Sequence, residues 1–347
     1  MRFIVIAALA LLVPWAAAPA GAGAKPEAAV VASILPVHSL VAGVMEGAGK
    51  PYLLVPGGMS PHSFALRPSD ARRLEAAQAV FWIGPTMETF LERSLKALAQ
   101  DAEVVSLAGA EDVKLLRLRE GGPWAAHDHD SRAAKDGHRD AAKHEDEHRN
   151  NEHAGEGDRS HSRDHGDNQG NVDYAIDAHV WLDPLNAVAF VEAIAHALGQ
   201  VDPANRAIYE ANAERVADKL RALDAELQRK LAAARGTPYI VFHDAYQYFE
   251  ARYGLRPAGS ITGSPEMSPG ARRLVEIRDR IRSANAVCVF AEPQFEPKLV
   301  RTVIQETGAR TATLDPLGAR LKPGPNAYFQ LMRNLAQDLT TCLGRRS

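Results

Sequence analysis

The chain has 347 residues, 46% hydrophobic and 24% charged, with a formal net charge of −3. Such a balance leaves no electrostatic footprint for nucleic acid. Subtracting a leader of 24 residues leaves 347 − 24 = 323, enough for two lobes with cores of their own, since domains usually run to about 100–150 residues.

The leader is residues 1–24, MRFIVIAALALLVPWAAAPAGAGA: one basic residue, an apolar stretch from Phe3 to about Val13, then small residues ending in Ala22, Gly23 and Ala24. This is the pattern of a secretory signal peptide cut before Lys25. Its apolar core is shorter than the roughly 20 residues a membrane span needs. No later segment has the length and apolarity to cross a bilayer, so the mature chain is expected outside the cytoplasm.

From Ala29 to Leu107, short apolar runs alternate with helix-length amphipathic segments: VVASI then 37–47, YLLV then 69–77, AVFWI then 86–99, and EVVSL. Alternating strands and helices imply an α/β lobe with a parallel sheet covered on both faces. Ser69 and Thr86 are the expected helix starts. Residues 120–173 are then almost devoid of apolar side chains and are expected to form a solvated, disordered insert. The first lobe resumes with HVWLDP and a helix over 185–198, closing at about residue 202.

Residues 203–235 carry apolar side chains at helical spacing (Ile208, Val216, Leu220, Leu223, Leu227, Leu231) with no internal Gly or Pro before the end. One helix of about 45 Å, at about 1.5 Å per residue, is expected to join the lobes as a rigid strut. Alternation returns over 236–347: YIVF, a helix over 244–252, LRPAGSI, a helix over 269–284 started by Ser268 and Pro269, AVCVF, a helix over 296–307, TATL, and a final helix over about 325–343. The expected fold class is therefore α/β, two lobes each built on a parallel sheet flanked by helices.

Two cysteines occur, Cys288 in AVCVF and Cys342 in the last helix. In an exported chain an even pair suggests a disulfide, here worth about 4 kcal/mol by chain-entropy arithmetic; two buried free thiols are the alternative. Of thirteen histidines, eight lie in the polar insert: His127, His129, His138, His144, His148, His153, His161 and His165. Histidines interleaved with Asp and Glu form transient cation sites, so the insert reads as an accessory low-affinity zinc collector, against the plainer reading of a solvated linker. His196 falls within an amphipathic helix and reads as a surface or packing residue. His38 follows a strand and is as well explained by capping or packing as by a cleft position.

The remaining histidines share a context. His62 follows Tyr52 to Val55 through the turn GGMSPH, His243 ends YIVF, and His179 opens HVWLDP; Asp315 ends TATL. Ligands of parallel α/β sheets sit beyond the carboxyl ends of strands. Alone, each residue would be read as a hydrogen-bonded core histidine or a capping aspartate. As a set drawn from both lobes, His62, His179, His243 and Asp315 read as one Zn²⁺ site in the interlobe cleft, because three imidazoles and a carboxylate suit zinc better than Mg²⁺, Ca²⁺ or Mn²⁺. A zinc hydrolase is the competing class. No HExxH or GxSxG pattern supports it, and the one acidic residue to watch as a base, Glu292 in FAEPQ, is better read as supporting a ligand or capping a helix. A stand-alone zinc buffer or chaperone is a third reading.

The segments GGMSPHSFALRPSD, HVWLDP, VFHDAYQYFE, CVFAEPQF and TLDPLG, with the histidine-rich insert between the first two, closely resemble the periplasmic zinc-binding proteins of bacterial ABC importers, the ZnuA type of cluster A-I solute-binding proteins. The resemblance covers essentially the whole mature chain. It implies two α/β lobes joined by one long rigid helix, a zinc ion between them, and docking on an inner-membrane ABC permease. It also implies that His62, His179 and His243 are the zinc histidines, that Asp315 is the second-lobe carboxylate, and that Cys288 and Cys342 form the family disulfide. Manganese-binding relatives place a carboxylate where this chain has His243. Some zinc members carry Glu just before the first histidine; here Pro61 stands there, leaving the fourth position to Asp315 or water. The expectation is a non-enzymatic, monomeric zinc carrier that does not bind nucleic acid.

Overall fold

The computed structural model describes residues 29–119, 121, 124, 176–266, 269–295 and 298–344. The leader and the eight histidines of the insert lie outside the described residues. In the first lobe, β1 (Val30–Ala32), β2 (Tyr52–Leu53), β3 (Ala79–Trp82) and β4 (Glu103–Ser106) form a parallel sheet in the order β2-β1-β3-β4. In the second, β5 (Tyr239–His243), β6 (Pro257–Thr262), β7 (Cys288–Ala291) and β8 (Arg310–Thr313) repeat that order as β6-β5-β7-β8. The central strands β1, β3 and β5 are buried along their whole length, as parallel strands covered on both faces must be. Each sheet reverses its winding direction between its first and third strands, and these crevices are where such folds place ligands.

The helices α1 (Leu35–Val44), α2 (Pro68–Glu75), α3 (Leu91–Leu98) and α4 (Pro184–Val201) belong to the first lobe. The expected strut is α5, helical over Arg206–Leu231 with single 3-10 turns at Pro203–Asn205 and Ala232–Ala234. Its buried face is Tyr209, Ala213, Val216, Ala217, Leu220, Leu223, Leu227 and Leu231, the apolar stripe of a 3.6-residue period. Ile208, expected on that stripe, is 40% exposed. The second lobe adds α6 (Gln247–Tyr253), α7 (Ala271–Ser283), α8 (Lys298–Ile304) and α9 (Ala327–Leu343). Cys288 and Cys342 are bonded, Cα atoms 6.3 Å apart, fixing α9 to the start of β7. No described helix is long and apolar enough to cross a membrane.

Two helix starts differ from expectation. Pro68 occupies the first turn of α2 and Asp70 reaches back to accept the Arg67 amide at 3.0 Å, so Ser69 is already inside the helix. Thr86 starts no regular helix; α3 begins at Leu91 because Glu88 is drawn into the sheet. The fully buried Glu88 carboxylate accepts the Ser33 hydroxyl and the amides of Ile83 and Gly84, at 3.2 and 3.1 Å. Ser268 lies outside the described residues.

Burial pushes the Glu88 carboxyl up to about 7, against the lowering effect of those donors. A carboxyl raised in the folded state stabilises most when protonated, so its contribution is complete below about pH 4.5 and is lost as pH rises to about 7. The shift corresponds to about 3 kcal/mol. Urea denaturation of the parent and Glu88→Gln across pH 4.5–8 should show the parent losing stability relative to the variant by that order; parallel profiles would refute a buried protonated carboxyl.

Candidate metal centre

β5 delivers His243 at its carboxyl end, and Glu292 follows β7 directly. The two therefore flank the crevice of the second sheet, and His243 Nδ1 lies 2.7 Å from Glu292 Oε1. A carboxylate can only accept, so this nitrogen carries the proton of a neutral imidazole and Nε2 presents its lone pair. His179 is arranged the same way: its Nδ1 is 2.8 Å from Asp177 Oδ1, which also accepts the His179 amide at 3.0 Å. His179 sits just before the short 3-10 helix Val180–Leu182. Asp183, which caps α4 by accepting the Leu185 amide, ends that helix.

The two Nε2 atoms face each other at 3.3 Å. Two nitrogens bound to zinc at about 2.0–2.1 Å and separated by a tetrahedral angle stand roughly 3.3 Å apart. The carboxylates thus hold two lone pairs at the spacing a tetrahedral zinc requires. His62, half-buried on the loop after β2, completes a group in which the ligand atoms all lie within 4.8 Å of one another. Its ring centroid is 5.7 Å from that of His179 and 6.1 Å from that of His243. The free space lined by Pro61, the three histidines, Trp181 and Glu292, about 10 Å³, is that of one ion or one water. Burial works to lower the His243 pKa, but the Glu292 carboxylate beside it outweighs this and the net direction is upward.

Asp315 is not brought into the group. Its carboxylate is committed to its own turn, Oδ1 accepting the amides of Leu317 and Gly318 at 3.2 and 2.8 Å and Oδ2 that of Ala319 at 2.7 Å. A carboxylate following a strand and facing three exposed amides satisfies them before it can reach a cation. The turn it builds nevertheless supports the site. A Cβ on Gly57 would stand 2.5 Å from Ala319 O, so only glycine lets the GGMSPH loop lie against this turn, while Gly58 takes a φ of 84° that favours glycine. Trp181 Nε1 donates to Pro316 O at 2.9 Å. His62 is thereby seated from below by the second lobe.

His38 is buried in α1 with Nε2 3.2 Å from Pro51 O, a packing position, and His196 lies on α4 beside Gln200. Three contributors carry no signal in the sequence alone. Asp177 is one. Glu266 is another: the Ser60 and Ser63 hydroxyls on either side of His62 donate to its Oε1 across the cleft at 2.6 and 3.3 Å. The third is Arg119, which pairs with the buried Asp244 and Glu250 next to His243.

Fold and pocket define a two-lobed binding protein with a cation site in its cleft. The family model described as "ZnuA: Zinc-uptake complex component A periplasmic" matches residues 30–342, and the chain belongs to that family. The High-affinity zinc uptake system protein ZnuA of Brucella suis is 49% identical over 325 residues, covering 91% of this chain and 92% of its own. Those of Paracoccus denitrificans and Yersinia pestis are 37% and 35% identical, covering 94% and 91% of this chain and 97% and 92% of their own. Among solved structures, one described as "Crystal structure of ZnuA" superposes with a TM-score of 0.69 at 24% identity, covering 90% of this chain and 98% of its own. The manganese complex of the solute-binding protein FpvC from Pseudomonas aeruginosa also reaches 0.69, at 20% identity over 91% and 98%. Both share the fold.

Glu292→Gln removes the charge behind His243 while keeping an acceptor. Zinc affinity, measured by chelator competition, should fall about 10-fold or more, as outer-shell changes do, with the thermal midpoint of the metal-free protein little changed; undiminished affinity would show that the carboxylate does not tune the ligand.

Proposed function

We propose that this chain captures one Zn²⁺ on His62, His179 and His243 and delivers it to an ABC-type permease of the inner membrane. The observation that carries this reading is the pair of oriented Nε2 lone pairs at 3.3 Å with a third histidine beside them. The signal-peptide pattern of residues 1–24 and the family description support a periplasmic location. The names of the relatives support the uptake role. The protein works as a monomer, with zinc and the permease as partners and without nucleic acid. With three nitrogen ligands, the fourth position falls to water rather than to Asp315.

The protein is not an enzyme. A zinc hydrolase would need a base free to activate the metal-bound water, whereas Glu292 is hydrogen-bonded to the far side of a ligand ring. Capture and release are ligand exchange: imidazoles bind zinc as neutral groups, and zinc displaces the protons that compete for their lone pairs. An all-imidazole protein shell favours zinc over manganese, which prefers oxygen.

Competition of Zn²⁺ against Mn²⁺ tests this directly. The parent should retain zinc at equimolar manganese, and His243→Ala should lose more affinity than the roughly 10–100-fold typical of outer-shell changes; equal retention of both metals, or an unaffected variant, would refute the assignment. The histidine-rich insert acts as a collector of lower affinity. Calorimetric titration after deletion of residues 121–171 should find one tight site remaining and the weak ones gone, and disappearance of the tight site would contradict that division of labour.

A further inference from the structure

We propose that Gln294 is a positioning residue that holds the water completing the zinc shell, and that Asp315 serves the site through it. This rests on the three-histidine reading above. Gln294 stands two residues beyond Glu292 and lines the same small pocket as His62, His179 and His243. Its Nε2 is 3.4 Å from Asp315 Oδ1, a long contact but a directional one. A carboxylate only accepts, so the amide nitrogen must face Asp315 and the amide oxygen must turn the other way. That oxygen is fully buried and has no hydrogen-bond partner among the described residues.

Leaving a buried amide oxygen unpartnered is unfavourable by about 1–3 kcal/mol, and a stable fold tolerates it where a ligand supplies the missing donor. The pocket that Gln294 lines offers a chemically defined donor. Three histidines leave a tetrahedral cation one position, and a water placed there, made more acidic by the metal, is a strong donor. Asp315 is itself fixed by three backbone amides, so it acts as a rigid anchor for the amide orientation. The second-lobe carboxylate, which the sequence suggests as a ligand, then contributes at one remove: Asp315 sets Gln294, and Gln294 sets the water. An outer-shell group of this kind modulates metal affinity and exchange without donating an electron pair to the ion.

The test uses the full-length mature protein and Gln294→Met, which keeps side-chain length while removing the amide. Zinc affinity by chelator competition should fall about 10-fold, while the thermal midpoint of the metal-free protein holds or rises. The Co²⁺-loaded parent, in water enriched in the magnetic isotope of oxygen, should show electron-paramagnetic-resonance lines broadened by a bound water. Parental affinity in Gln294→Met would overturn the proposal. So would an unbroadened parent spectrum combined with lost affinity in the variant, because the amide oxygen would then be a direct ligand. His62→Ala separates this from the underlying reading: if that variant still binds zinc tightly, the three-histidine site itself is wrong.

Discussion

Two buried carboxylates decide what this molecule can hold. Asp177 and Glu292 each accept a hydrogen bond from the Nδ1–H of a histidine and so aim its Nε2 lone pair into one small cavity. Without them each imidazole could rotate or change tautomer, and two acceptor nitrogens would not stay 3.3 Å apart. The carboxylates come from different lobes: Asp177 lies on the segment leading to α4, Glu292 at the end of β7. Their positions are therefore only as good as the contact between lobes.

That contact is dense and polar in its buried parts. Trp181 of the first lobe donates to Pro316 O, and Tyr328 of the second donates to Trp181 O at 2.7 Å. The Tyr328 amide in turn donates to Ser39 Oγ at 2.9 Å. The Tyr248 hydroxyl bridges the Leu116 amide and Asp177 O, both at 2.9 Å. Breaking a buried hydrogen bond strands its partner at about 1–3 kcal/mol, so a wide opening would cost several such penalties at once. The Asp315 turn belongs to this frame, being the surface on which Gly57 lets the His62 loop rest.

The sequence was a good guide wherever one local pattern determined the outcome. Continuous apolar runs marked the buried parallel strands, the helical stripe of residues 203–235 marked α5, and the three histidines at segment boundaries marked the pocket. It misled where a polar side chain chose between competing partners. Asp315 follows its strand as a ligand would, yet the amides of Leu317, Gly318 and Ala319 are closer in sequence and claim it. Thr86 has the form of a helix start, but Glu88 two residues later is pulled between β1 and β3 by Ser33 and two sheet-end amides. Glu266 was illegible because its partners are distant in the chain, 206 residues separating it from Ser60, whereas Asp177 lies only two residues from His179 and Gln294 only 21 from Asp315, and neither stands in a repeating pattern that would mark it. The pairing of Glu266 with Ser60 and Ser63 exists only after both lobes have formed and met.

The two sheets share one strand order, yet their crevices are filled differently, and the difference explains why the histidine pocket lies where it does. In the first lobe the space between the ends of β1 and β3 is closed by Glu88, whose oxygens are occupied by Ser33, Ile83 and Gly84. The fully buried carboxyl thus spends its described hydrogen bonds on the ends of its own sheet. In the second lobe the ends of β5 and β7 carry His243 and Glu292, and their hydrogen bond leaves Nε2 pointing out toward the cleft. The first lobe brings its histidines to the pocket on loops instead, His62 after β2 and His179 before the Val180–Leu182 turn. Of these, His179 is buried and tied to Asp177, whereas His62 is half-buried on a loop whose interlobe hydrogen bonds, from Ser60 and Ser63 to Glu266, are exposed. Exposed hydrogen bonds exchange with water at little net cost, about 0.5–1.5 kcal/mol each, so the His62 loop is the least firmly held of the three segments that line the pocket.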